Sequence, residues 1–600
     1  MNPNHPHKRE INYLYFGFFL FTLSLLSIFH YKGQPLTAIP LFFLLYAIVQ
    51  ALLEVCVFVL ITYILSRWAP RWSQFLFISV SFVFLLLHYT NFTMVRLLDT
   101  SISYLFKFFF YSGIDHFIAG FQAMNLNWKM IFISFGTFLA IPLVGLGFHW
   151  LTSLVIKKKP LPLSLTQITI AISVIGSSLL ILDILIHPHL SGKEYEKYTK
   201  TLPLGTTFLS PNPKYIHLEK PLAKHRDEKQ LLQQLPKATL AHRPNIYFFV
   251  IETLRKDFLY AAPNLTKFGK DHIQFQSSFA NANCTHLSWF ALFHSNLPFY
   301  WTAVRDEWTK GAIPLQILKN LGYKIHVYSS ADLRYFGMDK LLFGDKRELA
   351  DKIEEYTFDR EIKPCDRDAL AFKSLQEQDA SEGQAYLIFL DSTHSEYSFP
   401  EDFPLKYEPI SKNIDYLTIG PNSPELERIK NRYRNSISYI DQLMGTFFKS
   451  LKDKSQFDDA IIAVTGDHGE EFFEEGALFH GTHLNDYQTS VPIFFKFPSK
   501  DWVAQTDEAT HIDLFPSILH YLTKQSDFSA LFDGKSIFSL KNHPYRVAVL
   551  QNGPDAPTEF TVTQSDLTLR SRLTGPQRLE IIEMQGALQP NTLSPLLEKF

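Results

Sequence analysis

The placement of apolar residues divides this chain of 600 residues into two parts of different character. Long apolar runs recur from the N-terminus to about Ile186, where a sequence rich in Pro, Lys and Glu replaces them. A helix needs about 20 mostly apolar residues to cross a bilayer. We therefore predict a transmembrane domain over residues 1–190 with five spans, at 11–29, 37–65, 73–94, 128–155 and 165–186.

Basic residues between the predicted spans set the expected orientation. Two basic residues at 8–9 precede the first span, Arg67 and Arg71 follow the second, and three lysines at 157–159 follow the fourth. If every span crosses the membrane, these groups lie on one side, which the positive-inside rule makes the cytoplasmic side. The N-terminus is then cytoplasmic, and the chain after the fifth span is extracytoplasmic. Residues 99–125 are apolar but carry charges, so we expect a re-entrant or interfacial amphipathic segment there.

Two polar residues lie one helical turn apart inside the second predicted span, Gln50 and Glu54. An ionisable group is costly in the hydrocarbon region and often marks a functional site. The alternative is that Glu54 is protonated and hydrogen-bonds a neighbouring helix. The sequence leaves both interpretations open.

The composition excludes several classes of protein. Lys and Arg number 57 against 59 Asp and Glu, so the chain has no basic excess with which to bind nucleic acid electrostatically. Three cysteines are too few for a disulfide scaffold or a cysteine-rich zinc module. A single bridge between Cys284 and Cys365 remains open.

After a predicted linker at 191–243, the pattern becomes that of a soluble α/β domain over residues 244–600. Short apolar runs alternate with helix-like stretches, and such runs are typical of strands buried on both faces of a mostly parallel sheet. The runs are 245–251, 324–329, 386–390, 460–465 and 493–497. Because ligands bind at the carboxyl ends of such strands, we expect the site among the residues that follow them.

Those residues include groups that bind divalent metals. They are Glu252, Ser330 and Asp332, Asp391 and His394, and Asp467 and His468. A single acidic residue there could equally cap a helix, but several strand ends with carboxylates and imidazoles favour a metal site. The mixture of nitrogen and oxygen donors favours Zn²⁺ or Mn²⁺.

A candidate nucleophile lies in the polar stretch 282–288, before a helix-like run. A hydroxyl at a helix N-terminus beside a divalent cation can be held as an alkoxide. Thr285, Ser288 and Cys284 all satisfy the chemistry, and helix capping is the alternative role for Thr or Ser.

Two further histidines could complete the site, His394 and His480. Either could bind an anionic group or protonate a leaving group. Surface histidines are common, however, so neither one identifies a site by itself.

The order of these motifs resembles the alkaline phosphatase/sulfatase superfamily. The motifs are Val250–Asp257 with Ala262–Leu265, Thr285, His394, Thr465–Glu470, and His480-Gly481 before Val491-Pro492-Ile493. Within the superfamily, the chain looks most like the membrane-anchored branch that contains lipoteichoic acid synthases and lipid A phosphoethanolamine transferases.

This resemblance implies roles for individual residues. Glu252, Thr285, Asp467 and His468 would bind the metal, with Thr285 as the nucleophile that becomes phosphorylated. His394 and His480 would bind the phosphoryl group or assist the leaving group. True sulfatases carry their nucleophile in a Cys-x-Pro-Ser-Arg context, which the sequence after Cys284 does not match, so sulfate-ester hydrolysis is not expected.

The overall architecture is also similar to a narrower group, the YejM (PbgA) inner-membrane proteins of Gram-negative bacteria. Two functional hypotheses follow. The first is a metal-dependent phosphoryl transferase or phosphatase acting on a lipid or envelope-glycan head group. The second is a regulator of lipopolysaccharide homeostasis, without catalytic activity or with weak activity, that binds acidic lipid or partner membrane proteins. Both place the chain in the bacterial inner membrane with a periplasmic C-terminal domain and with phospholipid or lipid A head groups as partners.

Overall fold

A computed structural model of the chain describes most of its residues. The described residues are 11–32, 37–103, 106, 128–156, 164–210, 214–217, 231, 233, 235, 239–307, 309–357, 362–378, 381–412, 419–539, 545–552, 555–564, 567–575 and 578–586. The chain divides into two compact units, Met1–Pro213 and Lys214–Phe600. Each unit is described here by itself.

The first unit is helical. Its helices are α1 (Tyr13–His30), α2 (Ala38–Trp68), α3 (Arg71–Leu98), α4 (Trp128–Ile156), α5 (Leu165–Ile186) and the short α6 (Gly192–Thr199). In the described part of the chain, four helices are long and apolar enough to cross a membrane: Tyr13–His30, Ala38–Trp68, Trp72–Leu98 and Leu165–His189. The helix α4 occupies the remaining predicted span, but its described apolar segment, Pro142–Ile156, is shorter. The predicted interfacial segment 99–125 lies mostly outside the described residues.

Polar side chains inside this unit are paired with one another or with the segment after α5. Glu54 Oε1 lies 2.9 Å from His88 Nε2. Gln50 Nε2 donates to the main-chain oxygen of Thr206 at 2.7 Å. Asp183 accepts hydrogen bonds from the hydroxyl of Tyr46 at 2.8 Å and from the main-chain N–H of Phe208 at 2.7 Å. The start of the predicted linker is therefore packed onto the helices.

The second unit is built around a seven-stranded sheet with the order β3-β11-β8-β2-β7-β5-β6. Its strands are β2 (Ile246–Ile251), β3 (Ile273–Gln274), β5 (Lys324–Ser329), β6 (Lys352–Glu355), β7 (Gln384–Leu390), β8 (Ile461–Gly466) and β11 (Ile493–Lys496). The strands from β8 to β6 are parallel, whereas β11 and β3 pair antiparallel. This confirms the predicted fold class, an apolar helical part followed by an α/β domain with a mostly parallel sheet.

Nine α-helices belong to the described part of the second unit. They are α7 (Pro263–Asp271), α8 (Thr285–His294), α9 (Trp301–Glu307), α10 (Ile313–Asn320), α11 (Met338–Phe343), α12 (Pro364–Gln376), α13 (Pro424–Asp453), α14 (Asp486–Thr489) and α15 (Leu514–Thr523). Every residue of β2 is buried, because alternate side chains point into layers on opposite faces. Phe248 stacks on Phe515 with ring centroids 5.0 Å apart, and Phe249 contacts Phe447 at 5.4 Å.

A second sheet is antiparallel and has five strands, in the order β1-β16-β15-β14-β13. Its strands are β1 (Lys214–His217), β13 (Arg546–Val549), β14 (Glu559–Gln564), β15 (Leu567–Gly575) and β16 (Arg578–Gln585). Two smaller sheets pair β4 (Ser277–Phe279) with β12 (Glu508–Thr510) and β9 (Glu471–Phe472) with β10 (Leu478–Phe479). The strand β1 comes from the segment predicted as a linker. Cys284 and Cys365 are free thiols.

Candidate active site

The ends of β2 and β8 bring three candidate ligands together. The two strands are parallel neighbours, with Ile251 opposite Gly466, so the residues that follow them emerge side by side. Glu252 is 4 % exposed, and Asp467 and His468 are fully buried. His468 Nε2 lies 3.2 Å from Glu252 Oε1 and 3.6 Å from Asp467 Oδ2. Two carboxylates and an imidazole therefore face one point.

Thr285 is the hydroxyl that faces this group. It is the first residue of α8, so its side chain lies at the positive end of a helix of 10 residues. Its Oγ1 donates to Glu252 Oε1 at 3.1 Å and lies 3.3 Å from His468 Nε2. The other two candidates have different partners: Ser288 Oγ donates to Ala282 O at 3.3 Å, and Cys284 Sγ lies 3.7 Å from His286 Nδ1.

The turn after β2 is strained in a way that positions these groups. Thr253 has a φ of +52°, a left-handed conformation that is unfavourable for a β-branched residue. In this conformation its N–H donates to Asp467 Oδ1 at 2.9 Å, and its hydroxyl donates to the main-chain oxygen of Thr393 at 2.5 Å. The hydroxyl of Thr393 in turn donates to the main-chain oxygen of Glu252. Strain of this kind persists only where surrounding contacts hold it, and it is found preferentially at functional sites.

The pKa values of these three groups depend on one another. Burial raises the pKa of the Asp467 carboxyl well above its usual range, and the Glu252 carboxylate raises it further. Burial would lower the pKa of His468, but the Asp467 and Glu252 carboxylates raise it to about 9. Burial would also raise the pKa of Glu252, yet His468 holds it well below its usual range. A cation bound between the two carboxylates would take over the role of these protons and favour the ionised form of Asp467.

The residues present fit a divalent metal. Oxygen and nitrogen ligand atoms of Glu252, His468 and His480 lie within 4.8 Å of one another. Asp467 Oδ2 is buried and has no hydrogen-bond partner in the described part of the chain. A buried carboxylate oxygen without a donor is costly unless a cation or a proton satisfies it. Carboxylate and imidazole donors suit Zn²⁺ and Mn²⁺.

Both candidate histidines lie beside this group. The ring centroids of His480 and His468 are 4.2 Å apart, and those of His394 and His480 are 5.6 Å apart. Burial lowers the pKa of His480 well below its usual range, so its imidazole is neutral at pH 7. Its Nδ1 lies 3.3 Å from Oε2 of Glu470, a fully buried residue whose pKa burial raises to about 8. The sequence motif contained Glu470 but gave no signal of this contact.

Other residues at strand ends are paired with arginines. Arg334 contacts Asp332 at 3.0 Å, and Arg367 contacts Asp391 at 2.7 Å. Sites in such sheets lie at the carboxyl ends of the strands. This rule selected Asp332 and Asp391 as well, although each of them pairs with an arginine.

Comparisons with known proteins identify the family of one segment of the chain. Residues 244–524 match the family model described as Sulfatase. The chain is 26 % identical to lipoteichoic acid synthase 1 of Bacillus subtilis over 166 residues, which is 26 % of this chain and 25 % of the relative. It is also 26 % identical to the Kdo(2)-lipid A phosphoethanolamine 7''-transferase of Salmonella typhimurium over 194 residues, 31 % of each protein. The matches thus span about a quarter to a third of the length of these relatives.

A solved structure of the lipoteichoic acid synthase LtaP from Listeria monocytogenes aligns with a TM-score of 0.43 and 15 % identity, covering 61 % of this chain and 91 % of that one. Enzymes of the superfamily are generally metal-dependent hydrolases or transferases. The match to the family model shows that the segment 244–524 is a domain of the sulfatase family, within the alkaline phosphatase superfamily.

Proposed function

We propose that this protein is a metal-dependent phosphoryl transferase or phosphatase that acts on a lipid or envelope-glycan head group. The observation that carries the proposal is the position of Thr285 Oγ1, 3.1 Å from Glu252 Oε1 and 3.3 Å from His468 Nε2. A hydroxyl placed at a helix N-terminus among cation ligands is arranged for attack rather than for capping alone.

In this proposal Glu252, Thr285, Asp467 and His468 would hold the metal, with Zn²⁺ or Mn²⁺ preferred. When bound, the metal would favour the ionised hydroxyl and neutralise charge on the phosphoryl oxygens. The oxygen of Thr285 forms a bond to phosphorus while the bond from phosphorus to the leaving oxygen breaks. The leaving oxygen departs with the bonding electron pair and takes up a proton, and a phosphothreonine remains.

His394 and His480 are the candidates for handling the phosphoryl oxygens and the leaving-group proton. A neutral His480 can donate one hydrogen bond to a phosphoryl oxygen. Water or an acceptor hydroxyl then attacks the phosphothreonine from solvent, and the Thr285 oxygen is the second leaving group. Water as acceptor makes the protein a phosphatase, and a hydroxyl on an envelope molecule makes it a transferase.

The choice of a lipid or envelope substrate is supported by two observations. Four apolar helices indicate a membrane-anchored protein, so enzyme and lipid head groups would share one interface. The two relatives described above are named for lipoteichoic acid synthesis and for lipid A modification. We propose the bacterial inner membrane as the location, with the N-terminus cytoplasmic and the second unit periplasmic.

The test uses the full chain purified in detergent. Metal content is measured first, and hydrolysis of p-nitrophenyl phosphate and bis-p-nitrophenyl phosphate is then assayed with Zn²⁺ or Mn²⁺. We expect Thr285→Ala to lower kcat at least about 1,000-fold and to abolish a phosphothreonine detectable by mass spectrometry. Thr446→Ala is the matched control, because Thr446 lies on the exposed face of α13, where its Oγ1 donates to Gln442 O.

Activity that survives Thr285→Ala unchanged would exclude the threonine mechanism. A wild-type protein that binds no metal and hydrolyses neither substrate would favour the alternative from the sequence, a regulator without catalytic activity.

A further inference from the structure

A buried polar network lies beside the candidate active site and contributes no metal ligand. Its central residues are Asn283, Glu471 and Gln488, and all three side chains are fully buried. They belong to three separate segments: the approach to α8, the chain after the Asp467-His468-Gly469 motif, and the helix α14. We call these three residues the polar hub.

Glu471 accepts five hydrogen bonds from described residues. Its Oε2 lies 2.9 Å from His483 Nδ1, 2.8 Å from Asn485 Nδ2 and 2.9 Å from Gln488 Nε2. Its Oε1 accepts from the main-chain N–H groups of residues 475 and 477, at 2.9 and 3.0 Å. An ionised carboxylate only accepts, so this environment requires the charged form and makes His483 a donor.

Gln488 connects Glu471 to the loop that carries His480. Its Nε2 donates to Glu471 Oε2 and, at 3.1 Å, to Thr482 Oγ1. Its Oε1 accepts from the main-chain N–H groups of Thr482 and His483, both at 3.2 Å, and from Asn283 Nδ2 at 3.1 Å. The amide therefore uses both its donor and its acceptor ends, which no carboxylate could do at this position.

Asn283 extends the network to the nucleophile. It lies two residues before Thr285, and its Nδ2 also donates to the main-chain oxygen of His483 at 2.9 Å. Its main-chain oxygen accepts from the N–H of Gly481 at 3.0 Å. Residues immediately after His480 are thus tied to the segment that carries Thr285.

The loop around His480 needs such support because its own backbone is strained. Phe479 has a φ of +77° and Gly481 a φ of +80°, so residues on both sides of His480 adopt left-handed conformations. A non-glycine residue in this region persists only where contacts over-determine the conformation. Residues 481, 482 and 483 each donate a main-chain N–H to Gln488 or Asn283.

We propose that Gln488 is a positioning residue which, through the polar hub, holds the imidazole of His480 opposite the hydroxyl of Thr285. This inference rests on the proposed function for its kinetic consequence, but its structural consequence is independent of catalysis. Gln488 acts through other residues, so its loss changes the geometry of the site while the metal ligands from β2 and β8 stay in place.

The experiment compares Gln488→Met with wild type in the full chain. Methionine keeps the length of the side chain and removes all its hydrogen bonds. Asn435→Leu is the matched control, because Asn435 is also fully buried and its amide accepts from two main-chain N–H groups and donates to two main-chain oxygens in α13 and a nearby loop. Both variants lose a buried amide, and only one of them loses contacts to the His480 loop.

Two readouts are measured on both variants. The first is the rate at which diethyl pyrocarbonate modifies His480 in metal-free protein, read by mass spectrometry, since the His480 side chain is only 18 % exposed. We expect Gln488→Met to increase this rate about tenfold and Asn435→Leu to leave it within twofold of wild type. The second is hydrolysis of p-nitrophenyl phosphate at saturating Mn²⁺. Gln488→Met should lower kcat about 10- to 100-fold with KM within about threefold, because misplacement by about 1 Å has effects of this size.

The outcomes separate the two proposals. An inactive wild type in which Gln488→Met still exposes His480 contradicts the proposed function and supports the positioning role. An unchanged modification rate in Gln488→Met overturns the positioning role, and so does an equal loss of kcat in Asn435→Leu, which would reflect general destabilisation. If Gln488→Met does not fold, Gln488→Glu keeps the shape, places a second carboxylate against Glu471, and is judged by the same criteria.

Discussion

Replacement of Glu471 by Gln tests how strongly the polar hub depends on a charged carboxylate. The change preserves the shape of the side chain but introduces an NH₂ group. In the wild type, Oε1 has two nitrogen partners and Oε2 has three. The new NH₂ replaces one of these oxygens, so it faces at least two N–H donors in either orientation of the amide. Each buried donor left without an acceptor costs roughly 1–3 kcal/mol, so the expected loss is about 2–6 kcal/mol.

The pKa of Glu471 also indicates how much its charged form contributes to the folding free energy. Burial would raise this pKa, but the hydrogen bond and charge of His483 lower it to about 2 from the ordinary value of 4.5. A difference of this size corresponds to about 3 kcal/mol of folding free energy. Because the pKa is lower in the folded state, the contribution is fully present above pH 4.5 and disappears as the pH falls towards 2.

The assay is thermal unfolding of the full chain in detergent, followed by tryptophan fluorescence at several pH values. At pH 7 we expect Glu471→Gln to lower the unfolding midpoint of the second unit by about 3–7 °C. The difference from wild type should shrink steadily below pH 4.5. Glu401→Gln is the control. The Glu401 side chain is 88 % exposed and forms a surface ion pair with Lys363, so its replacement should leave the midpoint unchanged.

A midpoint for Glu471→Gln within 1 °C of wild type at pH 7 would refute the argument from the five donors. A large difference that is independent of pH would refute the assignment of the charged form.

Two further predictions concern other parts of the chain. A Cβ atom on Gly469 would lie 2.1 Å from the main-chain oxygen of Tyr487, so Gly469→Ala must displace the chain next to His468. For Gly469→Ala we expect at least tenfold weaker Mn²⁺ binding by titration calorimetry. An unchanged affinity would show that the backbone moves without displacing the metal ligands. In the first unit, Asp183→Leu removes the acceptor of the Tyr46 hydroxyl and of the main-chain N–H of Phe208. Limited proteolysis in detergent should then cut the segment after α5 faster than in wild type, and equal rates would contradict this anchoring role.

The sequence predicted the sheet well because parallel strands buried on both faces must be apolar. The runs at 245–251 and 460–465 correspond to β2 and β8, and the residues after them, Glu252 and Asp467, lie together in the structure. Their convergence follows from adjacent parallel strands, which a strand pattern can indicate. The antiparallel direction of β11 could not be read from its apolar run, since direction leaves no mark on composition.

Partners of polar residues were not predictable in the same way. Asp391 and Glu252 both follow central strands, yet Asp391 pairs with Arg367, which is 24 residues away in sequence. Asn283 lies in the polar stretch 282–288, but no sequence pattern marks Gln488, 205 residues away, as its partner. Amide side chains reveal their role only when the tertiary structure shows which donors and acceptors surround them.

The strand β1 also bears on how the second unit can be produced on its own. Tyr215 and Ile216 lie opposite Glu580 and Leu579, so residues before the family match at 244 complete the five-stranded sheet. A fragment that begins at residue 244 would leave the N–H and C=O groups along one side of β16 without partners. Exposed edges of this kind template association with other chains. A soluble fragment should therefore begin no later than Lys214, and one cut at the family boundary is expected to self-associate whatever the state of its active site.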